Sequence, residues 1–318
     1  MRVSRERSLP DPARLMLLGN IPVDLVMRVP GLPQPGDDLL AETSVALPGG
    51  GFHVLDAAWR GGLRGRYAGT HGVGPFGDAV RAALARIDCS MDLTALEEWD
   101  SGCVVALVDG TGERTFVSSP NAVLPYTTEV LASLQPRPSD LVYVSGYSLG
   151  LGEASAPLAA WVDDLGPDHV VFCDLGPWGA AATPEILDPV LRRVDWLSCN
   201  AREAALLVGQ HDPAIACAAL QRRTRDAGVL VRVGAEGCWL AMPGCAPELV
   251  PPAPVADVVD TTGAGDTHSG TFLAALAAGK PAREAVALAN AAAAAAVTLP
   301  GGASWVARDG DPRSGREV

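Results

Sequence analysis

Short runs rich in Val and Leu alternate with longer helical stretches along most of the chain, and this alternation limits the fold more tightly than any other feature. A strand that leads through a helix to the next strand brings the two together in parallel, with the helix packed on one face of the sheet. Strands are expected near 15–19, 67–70, 141–145, 170–173, 194–198 and 229–233, with helices between them, among them 78–86, 153–165 and 214–227. The expected fold class is α/β: a doubly wound, mainly parallel sheet with helices on both faces.

Two segments break the alternation, 38–48 and 102–118. In the second, Asp109-Gly110-Thr111-Gly112 separates two strand-like runs as a hairpin turn would. Strands without a crossover helix do not enter a parallel sheet easily, so these segments are expected to form a small separate β-sheet that serves as a lid. No repeat and no long linker divides the chain, and 318 residues suit one large α/β unit spanning 1–318, with a loose tail at 307–318.

Composition removes several classes of function. The formal charge is −13, so the overall field opposes nucleic acid and anionic membranes. Seven cysteines, with no CxxC pair, fit neither a disulfide framework nor a zinc site and point to a reducing cytoplasm. The apolar stretch 15–18 is too short for a signal peptide, and the Ala-rich run 285–297 is interrupted by Asn290, as expected of a buried helix rather than a membrane span.

The segment richest in chemistry is Asp260-Thr261-Thr262-Gly263-Ala264-Gly265-Asp266-Thr267, between a strand-like 255–259 and an apolar helix over 269–278. Strand, glycine turn and helix form an anion site, because the unpaired N–H groups of a first helical turn point outward with the positive end of the dipole. Asp266, at the helix start, would reach a substrate hydroxyl and take its proton. The plainer alternative is that Asp266 or Thr267 only caps the helix.

The stretch DTTGAGDTHSG resembles the second signature of ribokinase/PfkB carbohydrate kinases, with His268 where the family has an aromatic residue. The resemblance implies a ribokinase-like fold and transfer of the γ-phosphate of ATP to an alcohol, with Mg²⁺ and a potassium-like ion. It also implies Asp266 as catalytic base, Gly263, Ala264 and Gly265 as anion hole, and a monovalent-cation site near Asp260, Thr262 and Gly301.

Other features occur in the family's order. Gly19-Asn20-Ile21-Pro22-Val23-Asp24 resembles the first strand and its substrate-binding Asp24, Pro35-Gly36-Asp37 the start of the lid, and Pro48-Gly49-Gly50-Gly51 the glycine-rich substrate loop, where Gly49 and Gly50 would meet sugar hydroxyls. Asn200-Ala201-Arg202-Glu203 matches the NxxE element that holds Mg²⁺ waters, although Asn200 and Glu203 also make an ordinary capping box. Val233, Gly234 and Gly237 resemble the GxxG element under the nucleotide phosphates, with Arg232 in place of the usual Thr, and Asn290 falls on the adenine-side helix. In the first signature Gly51-Phe52-His53-Val54 replaces the usual Lys and Asn, so His53 or Asp56 is the candidate substitute contact, and Tyr147 a candidate pocket wall. The family resemblance further implies a homodimer through the lid strands.

The acceptor is expected to be a sugar-like alcohol, with a nucleoside as the alternative within the same fold. A catalytically inactive sugar-binding protein is a further alternative, against which the intact Asp266 argues. A rival class comes from Gly146-Tyr147-Ser148-Leu149-Gly150, formally a GxSxG nucleophile elbow, for which Asp174 with His211 or His268 would have to complete a triad around Ser148.

Overall fold

A computed structural model describes residues 13–299, apart from 111–112, 225–226 and 256. The chain opens with β1 (Arg14–Leu18), enters a small sheet through β2 (Val23–Arg28) and β3 (Thr43–Pro48), and returns through α1 (Gly51–Arg60) to β4 (Arg64–Tyr67). It passes α2 (Pro75–Arg86) and β5 (Ser90–Met91), then revisits the small sheet through β6 (Cys103–Val108) and β7 (Arg114–Ser118). After α3 (Thr128–Ser133) come β8 (Asp140–Ser145), α4 (Ala156–Asp163), β9 (Val170–Asp174), α5 (Gly176–Ala180), α6 (Pro184–Arg193), β10 (Trp196–Asn200), α7 (Ala201–Val208), α8 (Pro213–Arg223) and β11 (Gly228–Arg232). Two short strands, β12 (Cys238–Ala241) and β13 (Glu248–Val250), precede the helices α9 (Ala264–Ala277) and α10 (Ala282–Ala296).

The main sheet has the order β13-β12-β11-β10-β9-β8-β1-β4-β5, antiparallel only at β12 and β13. Its alternating side chains feed two cores: Leu15 and Leu17 face Phe52, Phe172 and Phe272 on one side, while Met16 and Leu18 join Val142, Val144 and Leu197 on the other. Strands buried on both faces need unbroken apolar runs, which is why these were readable from sequence. The strand order reverses between β1 and β8, and an open α/β sheet of this kind forms its ligand crevice at the carboxyl ends beside that point.

The second sheet, β3-β2-β6-β7, is the expected lid, with an apolar cluster of Val26, Ala106 and Val108. Its parallel β2–β6 pair was not foreseen, and Asp24 therefore stands on a lid strand rather than at the end of the first strand. Within 38–48 only Thr43–Pro48 is strand. The turn linking β6 to β7 includes residues 111–112, and the tail 307–318 and Gly301 lie outside the described residues.

Three further expectations need correction. The strand foreseen at 67–70 is β4, Arg64–Tyr67, since the charge of Arg66 is neutralised inside the fold by Asp92 Oδ2 at 2.8 Å and Asp140 Oδ2 at 2.5 Å. Among its described residues the run 255–259 forms no strand: it follows Pro251, Pro252 and Pro254, which supply no N–H for a ladder, and the Val259 and Asp260 amides donate to Val297 O at 2.8 and 3.1 Å. The helix foreseen at 153–165 begins as a 3₁₀ turn, Gly152–Ser155, before Ala156–Asp163.

Candidate active site

The strands β8, β9, β10 and β11 end side by side, and their last residues are Ser145, Asp174, Asn200 and Arg232. Facing them, α9 begins at the glycine turn and not five residues later, as the apolar pattern suggested. Gly263 is its N-cap at φ 70°, and no side chain caps the helix. A Cβ at Gly263 would also lie 2.8 Å from His53 Cδ2, so only glycine suits the position. The Ala264 amide donates to Thr261 O at 3.3 Å, which leaves the first-turn amides beyond it without a capping acceptor. The amides left open are therefore those of Gly265 and Asp266, while that of Ala264 is used within the turn.

Asp266 sits in that first turn. The residue is partly exposed, yet its carboxyl is surrounded by protein, and burial pushes its pKa up to about 8, reinforced by Asp174, Asp24 and Glu203 and opposed by Arg232. Asp24 is held against the glycine loop: a Cβ on Gly49 would fall 2.0 Å from Asp24 Oδ2, so the carboxylate can occupy its place only because residue 49 is glycine. Burial, and then Asp260, raises Asp24 to about 7. Gly50, at φ 51°, caps α1. His53 is buried beneath the anion turn with its pKa lowered to about 4 by burial, so it is neutral, and its Nε2 has no protein partner. Asp56 is turned away into an ion pair with Arg60 at 2.8 Å.

On the other side of the crevice Asn200 and Glu203 do form the capping box: the Asn200 side chain accepts from the Glu203 amide at 2.9 Å, and Glu203 Oε2 accepts from the Asn200 amide at 2.9 Å. Burial raises the Glu203 pKa. Val233, Gly234 and Gly237 form the tight turn between β11 and β12, closed by the Val233 amide on Gly237 O at 2.9 Å. Asn290 is buried, and its amide holds Val250 O and Pro251 O at 3.1 and 2.9 Å while its Oδ1 meets His268 Nε2 at 3.2 Å. Its side chain thus braces the segment after β13 rather than opening to the crevice.

Sequence reasoning missed Trp178 and Arg114, and also the pairing of Asp174 with Arg232 and Ser269. Trp178 stands 5.4 Å from the ring of Tyr147, and the Tyr147 hydroxyl, largely surrounded by protein, lies in the field of Asp266, Glu203, Asp174 and Asp24. Arg114, from lid strand β7, binds Asp260 Oδ1 at 3.0 Å, Thr262 Oγ1 at 2.8 Å and Thr261 Oγ1. The side-chain oxygens assigned to a potassium-like ion thus already carry a guanidinium, and they do not fit a second cation at the same atoms. Asp174 pairs with Arg232, and Ser269 donates to it at 2.6 Å. These contacts join residues far apart in sequence, for which no local motif exists.

The hydrolase geometry is not assembled. Ser148 is buried in a 3₁₀ turn with its Oγ 3.3 Å from Asn20 Nδ2, Asp174 is bound to Arg232, and His268 to Asn290.

A doubly wound sheet whose strand order reverses between β1 and β8, with an uncapped helix start facing the strand ends and a separate four-stranded lid sheet, has the ribokinase-like architecture. The pfkB family of carbohydrate kinases matches residues 12–307, and the chain belongs to that family. It is 31% identical over 312 residues to the uncharacterized sugar kinase YegV of Escherichia coli, covering 95% of this chain and 92% of that one. Among solved structures it is similar to the Arabidopsis thaliana ribokinase complexed with ribose and ATP, at 23% identity and TM-score 0.70, covering 91% of this chain and 94% of that one. It is also similar to the adenosine kinase from Sinorhizobium meliloti, at 19% identity and TM-score 0.75, with the same coverage.

Proposed function

We propose that the protein moves the γ-phosphoryl group of ATP to a hydroxymethyl group of a sugar or sugar-like alcohol, with Asp266 as general base. The observation that carries this is the shared first turn of α9, where open backbone amides and a buried carboxyl stand side by side. The alcohol lies beneath the lid, oriented by Asp24 and the backbone of Gly49 and Gly50. Asp266 accepts its proton as the oxygen attacks phosphorus, and the amides around Gly265 stabilise the charge that develops on the phosphoryl oxygens. Lid closure excludes water, which would otherwise compete as acceptor.

Among the described residues no group of three or more His, Cys, Asp or Glu side chains can hold a metal alone. A divalent ion would therefore rely on phosphate oxygens and water, as Mg²⁺ commonly does, and would supply neutralising charge there. Asn200 and Glu203 would hold its waters, since a carboxylate that accepts two bonds from Asn200 still has lone pairs to offer. Seven unpaired cysteines favour a reducing cytoplasm, and no helix among the described residues is long and apolar enough to cross a membrane. Phe116 and Val117, exposed on lid edge strand β7, support a homodimer formed there.

The test is ADP release from Mg-ATP across pentoses, hexoses, sugar acids, phosphosugars and nucleosides, with Asp266→Asn as control. Acceptor-stimulated turnover that disappears in the variant supports the reading; a nucleoside as the sole acceptor would replace the sugar by a nucleoside; silence across the panel would overturn it.

A further inference from the structure

The sequence has a single lysine, Lys280, which pairs with Glu284 at 2.8 Å beyond the C-terminal end of α9. That end is roughly 20 Å along the helix axis from the anion turn, so no lysine reaches the site. A nucleoside triphosphate would nevertheless enter a crevice already surrounded by Asp24, Asp174, Glu203 and Asp266. A protein cation at short range must then be an arginine.

Arg232 is placed for this. It ends β11 beside Asn200 and is held end-on by Asp174, with Nη1 to Oδ2 at 2.7 Å and Nη2 to Oδ1 at 3.0 Å. Nη1 also meets Ser198 Oγ and Ser269 Oγ, and Ser269 belongs to the helix that carries Asp266. The other edge of the planar fork, formed by Nε and the second Nη2 hydrogen, has no acceptor among the described residues. The guanidinium lies face-on under the anion turn, since a Cβ at Gly265 would lie 3.4 Å from Nη2, 3.5 Å from Cζ and 3.7 Å from Nε, and the open edge therefore borders that turn. A guanidinium fixed by one bidentate pair and open at a second edge can grip a phosphoryl oxygen without losing its first partner.

We propose that Arg232 is a catalytic contact to the transferring phosphoryl group through its Nε–Nη2 edge, and that Asp174 and Ser269 are its positioning residues. This rests on the kinase reading above. In the step, the alcohol oxygen bonds to the γ-phosphorus and the bond from phosphorus to the bridging oxygen breaks. The bond's electron pair leaves with ADP, and the alcohol proton passes to Asp266. Arg232 gains and loses no proton, and its hydrogen bonds strengthen as charge moves onto the phosphoryl oxygens.

The test compares the full-length wild type, Arg232→Gln, Arg232→Lys and Asp174→Asn for kcat and KM with the best acceptor, for Kd of ATP and of ADP by calorimetry, and for Tm. Arg232→Gln is expected to lower kcat roughly 10²–10³-fold, the range for loss of one preorganised donor, and to erase most of the preference for ATP over ADP. Arg232→Lys should restore part of kcat, and Asp174→Asn should fall between the two with KM little changed. If Arg232→Gln fails to fold, the other two variants decide: reduced ATP-over-ADP discrimination supports the proposal, and unchanged discrimination overturns it. It is also overturned if Arg232→Gln keeps kcat within about threefold, or if ATP and ADP affinity fall in parallel with Tm, as a purely structural ion pair would require. A wild type without turnover on any acceptor overturns the kinase reading itself, whereas an active wild type with an indifferent Arg232→Gln removes Arg232 alone.

Discussion

Arg114 and Asp260 meet at 3.0 Å across 146 residues of sequence, and the contact ties an edge strand of the lid to the turn that leads into Asp266. The same guanidinium holds Thr261 and Thr262, so the position of the lid strand is tied to that of the turn before Asp266. Charge-assisted hydrogen bonds of this kind contribute about 1.5–3 kcal/mol. Arg114→Ala is therefore expected to raise the acceptor KM about tenfold and to increase ATP hydrolysis relative to transfer, because a looser lid admits water. Coupled assays of ADP release with and without acceptor measure both. Unchanged values would mean that lid and turn are not energetically linked.

Asp266→Asn keeps the size of the side chain and removes the proton acceptor. Loss of a positioned base costs about 10²–10⁴ in rate, so kcat should fall by that range while the Kd for ATP stays within about threefold. Single-turnover measurements with bound ATP separate the chemical step from binding. Near-full turnover would remove Asp266 from the mechanism.

The raised pKa of Asp266, about 8, sets opposite trends for activity and stability. Only the carboxylate takes a proton, so kcat/KM should climb from pH 6 to pH 8.5. In the unfolded chain the group titrates near 3.8, so between about pH 4 and 8 the folded protein binds more protons than the unfolded one, and stability falls as pH rises. Asp24, raised to about 7, acts in the same direction. Thermal unfolding of the ligand-free protein from pH 7 to 8.5, above the range in which the buried His53 and His268 act in the opposite direction, should show Tm declining, and Asp266→Asn should flatten that decline. A wild-type Tm that rises over this interval would contradict the burial of these carboxyls.

What was legible in the sequence was local. The turn from Asp260 to Asp266 declared itself because glycines, helix start and carboxylate fall within seven residues, and β1, β8, β9, β10 and β11 because both of their faces are apolar. What was hidden depends on partners distant in sequence. β4 reads as polar until Asp92 and Asp140 neutralise Arg66. Arg232 looked like a mere departure from the family pattern until Asp174, 58 residues earlier, was found to orient it. His53, expected to touch the acceptor, lies buried under Gly263, a placement no one-dimensional pattern distinguishes from exposure.

Gly49 and Asp24 supply the last prediction. A methyl group on residue 49 would overlap the Asp24 carboxylate, with a Cβ 2.0 Å from Oδ2 and 2.4 Å from Cγ, so Gly49→Ala must displace that carboxylate. If Asp24 serves the acceptor, Gly49→Ala and Asp24→Ala should each raise the acceptor KM, by about tenfold or more for a lost charged hydrogen bond, while ATP affinity is kept. Both changes remove one and the same contact, so the double variant should be little worse than either single one, giving an interaction energy of about 1 kcal/mol or more in the cycle. Additive effects would mean that the glycine acts through the loop and not through Asp24. Equal loss of acceptor and ATP binding would make both residues structural.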